Sequence, residues 1–335
     1  MSITVLGAGT WGTALTILLA NKGREVVLWS KLEKEIEELK NDRRNIKNLP
    51  GARLPESVKL TTDEKYACKD SEPELIVFAV ASPFVRSTAK LVSPYISDGQ
   101  IIVNVAKGIE EATLDTLLDV IREEIPNADL AVLSGPSHAE EVSRGIPTTV
   151  VVAASKRATA EYLQDTFMTD RFRVYTTNDI IGVELGGSLK NVIALAAGMS
   201  DGLGFGDNTK AALMTRGLAE IERLGLAMGA KAETLSGLSG IGDLFVTCTS
   251  HHSRNWNAGN LIGKGMSVDE ALAEVKQVVE GVYCAKAALK LARKYYVEMP
   301  IVTQVNAILF DNKPAEEAVS ALFMREKRDE HVMNW

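Results

Sequence analysis

Long apolar runs are missing from this chain: none of its stretches approaches the roughly 20 residues that a membrane span requires. A basic leader is missing too, because MSITVLGAG passes directly into a strand pattern, so neither a signal peptide nor a transmembrane helix is expected. Cysteine is scarce. Cys68, Cys248 and Cys284 are odd in number, far apart and form no CxxC pair, which points to free thiols in a reducing compartment and a cytoplasmic location. Positive charge is outnumbered, with 37 Lys and Arg against 44 Asp and Glu and a formal net charge of −7. That balance argues against non-specific attraction to nucleic acid or an anionic membrane. It leaves room for a phosphorylated small molecule, whose affinity is set by a local pocket. The four histidines sit in no spaced cluster with Cys or carboxylates, so no metal site is expected.

What is present is ordinary globular material in a chain of 335 residues, a length that suits two domains. The first half alternates short apolar runs with helical stretches. Strands are expected at Ile3–Leu6, Glu25–Trp29, Glu74–Val80, Ile101–Val105, Ala131–Leu133, Thr148–Ala153 and Phe172–Thr176. Helices are expected between most of them, notably Thr10–Lys22, Lys31–Lys40, Thr113–Glu124 and Ala158–Phe167. Several of these strands are almost wholly apolar, as when helices cover both faces of a sheet. The reading is α/β, a doubly wound parallel sheet. After Thr177 the strand signal stops, and helices are expected at Asn178–Met199, Thr209–Met228, Asn255–Ile262, Ser267–Glu274, Tyr283–Tyr295 and Pro314–Met324. The division falls between a sheet domain, residues 1–177, and an all-α C-terminal domain, residues 178–335.

Gly7-Ala8-Gly9-Thr10-Trp11-Gly12 follows an apolar strand and opens a helical stretch. In that context GxGxxG is the turn that holds a dinucleotide pyrophosphate. Gly7 permits the tight turn, Gly9 the approach of backbone to phosphate, and Gly12 the close packing of helix on strand. The second strand ends Leu28-Trp29-Ser30-Lys31, with no acid at its tip to hold a ribose hydroxyl. Ser30 and Lys31 suit a 2′-phosphate instead, which favours NADP over NAD; the alternative is a solvated Lys31 with Glu33 on the ribose.

Other candidates lie at expected strand ends, where open α/β sheets bind ligands. Lys107 follows one strand, and the segment Ser134–Glu140 follows the next, with His138 a second candidate base. Lys190 stands inside an expected helix, and its neighbours three and four residues away are Gly186, Gly187, Ile193 and Ala194. None carries a countercharge, so its ammonium needs a partner from elsewhere or a ligand. Burial or a second cation would also bring its pKa down towards neutrality, as a general base requires. Asp243 reads either as a site carboxylate or as a helix N-cap. Ser253-Arg254-Asn255 opens another helix, where backbone amides and a planar guanidinium suit a phosphate.

Taken together these segments resemble bacterial NAD(P)-dependent glycerol-3-phosphate dehydrogenase. The matching blocks run in order from GAGTWGTA at Gly7–Ala14, through Ala106–Gly108, Ser134–Ser137, Phe172–Tyr175 and Glu184–Asn191. They continue through Gly204–Asn208, Arg216–Glu220, Gly242–Leu244 and Ser253–Asn255 to Val278–Gly281. The resemblance implies reversible hydride transfer between dihydroxyacetone phosphate and sn-glycerol 3-phosphate, feeding phospholipid synthesis. It implies that Lys190 exchanges the hydroxyl proton beside Lys107 and Asp243, and that Asn191 contacts substrate. Arg254 and Asn255 would grip the phosphate with Gly135, Ser137 and Ser253. Thr10, Trp11, Lys31, Lys107, Ala139, Arg254, Val278 and Glu280 would line the cofactor site. An eight-stranded sheet, a helical second domain and a homodimer are implied as well. Lys31 is a departure, since family members often carry Arg or His there. A 6-phosphogluconate or 3-hydroxyacid dehydrogenase shares the architecture, and an NAD(P)H sensor would keep the glycine turn without the lysines.

Overall fold

A computed structural model describes residues 2–327 together with 329 and 330. The sheet half runs β1 (Ser2–Leu6), α1 (Thr10–Asn21), β2 (Glu25–Trp29), α2 (Glu33–Asp42), β3 (Lys59–Thr61), β4 (Pro73–Phe78) and α3 (Val85–Val92). It continues β5 (Ile101–Asn104), α4 (Leu117–Glu124), β6 (Asp129–Ser134), α5 (Ala139–Val142), β7 (Thr148–Ala154), α6 (Arg157–Phe167) and β8 (Phe172–Thr177). The eight strands lie in the order β3-β2-β1-β4-β5-β6-β7-β8. The order reverses direction at β1, flanked by β2 and β4, so the loops after β1 and β4 diverge there and open a crevice at the sheet's carboxyl edge. β1 and β4 are buried along most of their length, because separate apolar clusters cover the two faces of the sheet.

Three features of the sheet half depart from the sequence reading. The sheet is mixed: β7 runs antiparallel to β6, with Ala131 opposite Ala154 and Ser134 opposite Val151, and β8 follows β7 in parallel. An apolar strand covered on both faces reads alike in either direction, so composition gave no sign of the reversal. The short link through α5 returns the chain along the same edge instead of crossing the sheet. β3 was not expected, since three residues are too few to show a period, and α3 was missed between β4 and β5.

The second half is helical: α7 (Ile180–Gly202), α8 (Asp207–Ala227), α9 (Ala232–Leu235), α10 (Asp243–Thr249), α11 (Arg254–Gly263), α12 (Val268–Val275), α13 (Glu280–Lys294), α14 (Pro300–Phe310) and α15 (Ala315–Phe323). Helix α7 is the axis of this half, packing against α8, α10, α11, α13 and α14 and also against β6. It is 23 residues long and apolar enough to cross a membrane by length and composition, but 83% of its most apolar window is buried inside the protein. Buried Leu185, Leu189, Val192, Ile193 and Leu195 each contribute about 2 kcal/mol of transfer free energy. Asp179 starts the helix by accepting the amide of Gly182 at 3.0 Å, and its other oxygen takes the amide of Lys231 at 2.8 Å, tying α7 to the start of α9. Because α7 touches β6 on one side and α10, α11 and α13 on the other, any side chain it aims at the sheet edge enters a cleft between the halves. α10 and α14 were not expected from the sequence; α10 has seven residues, two turns, and shows no clear apolar face.

Candidate active site

A cleft of about 670 Å³ lies along the carboxyl edge of the sheet, lined by residues of both halves. Its sheet-side wall begins at the glycine turn. Gly7 adopts φ +113°, and a Cβ there would stand 2.8 Å from the carbonyl oxygen of Ala79. At Gly12 a Cβ would fall 1.9 Å from the carbonyl oxygen of Gly7, so only glycine lets α1 start this close to β1. Around Gly9 the space is open, and no side chain caps α1. The first amides of that helix are thus left for an anion, which is the fit a dinucleotide pyrophosphate demands. Gly9, Thr10, Trp11, Ala139 and Glu280 line the cleft, as do Ala79–Ala81 after β4.

Three charged side chains meet on the cleft floor. Lys190, on α7, is 5% exposed, and Asp243, the first residue of α10, is 1% exposed. One carboxylate oxygen of Asp243 accepts the Lys190 ammonium, and the other accepts Lys107 Nζ at 2.5 Å. Lys107 also donates to the carbonyl oxygen of Gly135 at 3.2 Å. Lys190 donates further to Thr247 Oγ1 at 2.6 Å, while that hydroxyl donates to the carbonyl oxygen of Asp243. Two ammonium groups therefore share one buried carboxylate. Burial pushes the Lys190 pKa down to about 7, opposed by the Asp243 charge and assisted by Lys107. Asp243 is not the N-cap, a place taken by Gly242. Thr247 went unrecognised in the sequence; one turn beyond Asp243, it would have been found had α10 been read as a helix.

The far wall is built by α11 and α13. Ser253 caps α11 by accepting the amide of Trp256 at 3.2 Å, and it also lines the cleft. Arg254 lines the cleft and forms no ion pair among the described residues. Asn255 bridges three helices: its amide nitrogen donates to Asn191 at 3.0 Å and its oxygen accepts the Gly281 amide at 2.8 Å. Glu280 accepts the amide of Ser82 at 3.2 Å and the Ser82 hydroxyl, so the start of α13 is tied directly to the loop after β4. Burial raises the Glu280 pKa, against those two hydrogen bonds. Ser137 lines the cleft and Gly135 lies beneath Lys107.

His138 also reaches the cleft. Its pKa is lowered by burial first and then by the Lys190 charge, so it is less suited than Lys190 to hold a proton at neutral pH. His252 stands beside it at 5.7 Å between ring centroids, and no group of three His, Cys, Asp or Glu able to hold a metal exists among the described residues. Lys31 and Val278 do not line the cleft. Lys31 is exposed just beyond β2, whereas Ser30 is buried and gives its hydroxyl to Glu35. Asn48 donates to the same carboxylate at 3.3 Å. An acid thus does stand near the β2 tip: it comes from the first turn of α2, where the sequence pattern at the strand end did not reveal it.

Comparison with known proteins shows the family of the chain. Residues 2–160 match the model of the NAD-dependent glycerol-3-phosphate dehydrogenase N-terminus, and residues 179–320 match that of the C-terminus. The chain is 60% identical to glycerol-3-phosphate dehydrogenase (NAD(P)+) of Agathobacter rectalis, covering 98% of this chain and 97% of the relative. It is 55% identical to the enzyme so named from Fusobacterium nucleatum over the full length of both. The crystal structure of glycerol-3-phosphate dehydrogenase from Coxiella burnetii superposes with a TM-score of 0.93 at 39% identity, covering 97% of this chain and 99% of that one.

Proposed function

Because the chain belongs to the NAD-dependent glycerol-3-phosphate dehydrogenase family, we propose that Lys190 is the proton donor and acceptor in its reaction. That reaction is the reversible reduction of dihydroxyacetone phosphate to glycerol 3-phosphate. The observation that carries the assignment is the Lys190 ammonium on the cleft floor, held by Asp243 and Thr247 and brought to a pKa of about 7. A bound nicotinamide dinucleotide supplies or accepts the hydride at carbon 2. Lys190 gives a proton to the oxygen on that carbon during reduction and takes it back during oxidation. Lys107 adds a second positive charge where alkoxide character develops. Asp243 holds both lysines in place, and Asn191 contacts substrate. Arg254 with Asn255 and the amides that open α11 grips the phosphate, helped by Gly135, Ser137 and Ser253. The phosphate grip fixes carbon 2 against the hydride path.

The pH dependence follows in sign. Reduction needs protonated Lys190, so its kcat should fall about tenfold per unit as pH rises above about 7. Oxidation needs the neutral amine and should rise about tenfold per unit up to about pH 7 and level off above it. Initial rates in both directions from pH 5.5 to 9 check this, and parallel profiles in the two directions would count against Lys190.

The remaining assignments belong to the same reading. NADP is the preferred cofactor: Lys31 stands exposed past β2, and Glu35 is engaged by Ser30 and Asn48. Lys31→Ala should raise KM for NADPH by about fivefold while changing that for NADH less than twofold, on the scale of one partly exposed charge-assisted contact. Equal changes for both cofactors would remove Lys31 from the 2′-phosphate. Gly7, Gly9, Thr10, Trp11, Gly12, Ala139 and Glu280 complete the cofactor site. The division into residues 1–177 for cofactor and 178–335 for substrate is supported by the change from strands to helices after β8. A cytoplasmic homodimer supplying glycerol 3-phosphate for phospholipids completes the proposal, and the three unpaired, buried cysteines suit that reducing compartment.

A further inference from the structure

A second cavity, of about 320 Å³, lies in the helical half between α7, α8, α14 and α15. Its walls are apolar, with Met199, Leu203, Leu213, Val305, Ile308 and Leu322 facing inward. A volume of this size is at the lower end of small-molecule sites. Polar groups gather along one strip of the wall. Arg216, Glu220 and Arg223 are spaced i, i+4, i+7 and so share one face of α8, and Arg325, beyond α15, joins them.

Among the described residues, this strip carries more positive charge than its carboxylates offset. Glu220 is 2% exposed, and its two oxygens accept the amides of Ile301 at 2.7 Å and Val302 at 3.2 Å. It serves as the cap of α14, and burial raises its pKa to about 7, so it is only partly ionised at neutral pH. Arg223 donates to the carbonyl of Glu298 at 2.9 Å and Arg216 to the carbonyl of Glu330 at 3.4 Å; both acceptors are neutral. Arg325 meets the Glu298 carboxylate at 3.4 Å, on a side chain that is 63% exposed. The Arg223 pKa is lowered by burial first, with Arg216 and Arg325 adding to the fall and Glu220 opposing it. Ser200, also in the wall and 4% exposed, has a hydroxyl with no hydrogen-bond partner among the described residues.

We infer that this cavity binds an aliphatic carboxylate, its chain among the apolar side chains and its head on the guanidinium groups of Arg216 and Arg223. Among the described residues three guanidinium groups face two carboxylates, and one of these, Glu220, is only partly ionised at neutral pH, so positive charge is in excess. A carboxylate offsets one of those charges, and its two oxygens match the planar fork of arginine. A purely apolar ligand would bring no countercharge to the arginines. The site is separate from the cleft. Lys190 and Ser200 lie on the same helix ten residues apart, which is about 15 Å along its axis.

Calorimetric titration of the full-length protein with decanoate tests the inference, run with NADPH and glycerol 3-phosphate both saturating. Decanoate should bind with a stoichiometry of one per chain under those conditions. Arg216→Gln/Arg223→Gln should weaken it at least tenfold, and decanol should bind the wild type at least tenfold more weakly than decanoate. Val319→Trp, which narrows the cavity from α15, should abolish binding while both arginines remain, and it covers the case in which the double variant fails to fold. Absence of binding, displacement by glycerol 3-phosphate, or equal affinity for decanol overturns the site. Tighter binding of decyl phosphate overturns the choice of head group. Binding that appears only on dilution to monomers, followed by sedimentation, shows a second copy on this face and overturns the small-molecule occupant.

Discussion

Replacement of Lys190 by alanine is expected to lower kcat for dihydroxyacetone phosphate reduction by about 10³- to 10⁴-fold while leaving NADPH affinity within twofold. A positioned general acid contributes roughly 10²- to 10⁴-fold and one stabilising charge at a developing alkoxide roughly 10²- to 10³-fold. The two effects come from one ammonium and are not multiplied together. Lys107 remains nearby and keeps part of the electrostatic contribution, since its bond to Asp243 at 2.5 Å is untouched. The same bond protects the fold, because Asp243 does not become an unpaired buried charge. The glycine turn lies in the other half of the molecule and does not sense the change. Lys190→Arg separates charge from proton transfer: a guanidinium stays protonated throughout the usable pH range, so it supplies charge but no base. Oxidation should therefore remain at the level of the alanine variant, with no rise through pH 7. Fluorescence titration of NADPH and steady-state rates check both variants, and a kcat for Lys190→Ala within tenfold of wild type would remove the lysine from proton transfer.

The sequence made Lys190 visible as an anomaly, a charge inside a helix whose neighbours on the same face offer nothing to meet it. It could not show the answer. Asp243 lies 53 positions away, and the two meet because α10 docks on α7, a tertiary contact with no local trace. The glycine turn was legible because its geometry is local: strand, tight turn and helix start occur within twelve residues. Arg254 and Asn255 were legible for a similar reason, as the opening residues of one helix. Thr247 was lost with α10, whose two turns give too little periodicity to be recognised. Glu35 was not legible because the sequence offers more than one acid in the first turn of α2, Glu33 among them, and only the fold shows that Glu35 is the one that meets Ser30. The reversal at β7 was invisible because a strand buried on both faces carries no record of direction. Local geometry was readable, and packing between distant segments was not.

Asp243→Asn should have a large effect on rate and a small one on stability, and the physics of Lys190 explains the difference. Removing one partner of a buried ion pair commonly costs about 3–5 kcal/mol, because the other charge is stranded. Here the stranded charge has an exit. Lys190 already has a pKa of about 7, and Asp243 is the main influence holding it up against burial and Lys107. Without that carboxylate the pKa falls by a further one to three units, the usual effect of an opposite charge at contact distance. Lys190 then becomes neutral at pH 7 and Thr247 still engages its nitrogen, so the destabilisation should be about 1–2 kcal/mol, closer to the loss of a charged hydrogen bond than of an ion pair. Lys107, with 20% of its side chain exposed, retains solvent and the Gly135 carbonyl. Catalysis has no such exit: a neutral Lys190 cannot donate in the reductive direction. At pH 7 reduction should fall by about 10²-fold, and the alkaline limb of its profile should move by one to three units towards lower pH. At pH 5.5 part of the rate should return, as the amine is protonated again. Urea unfolding midpoints and pH–rate profiles measured on the same preparation check the two halves together. A loss of stability above 3 kcal/mol with no displacement of the profile would mean that Asp243 holds the fold and does not set the charge on Lys190.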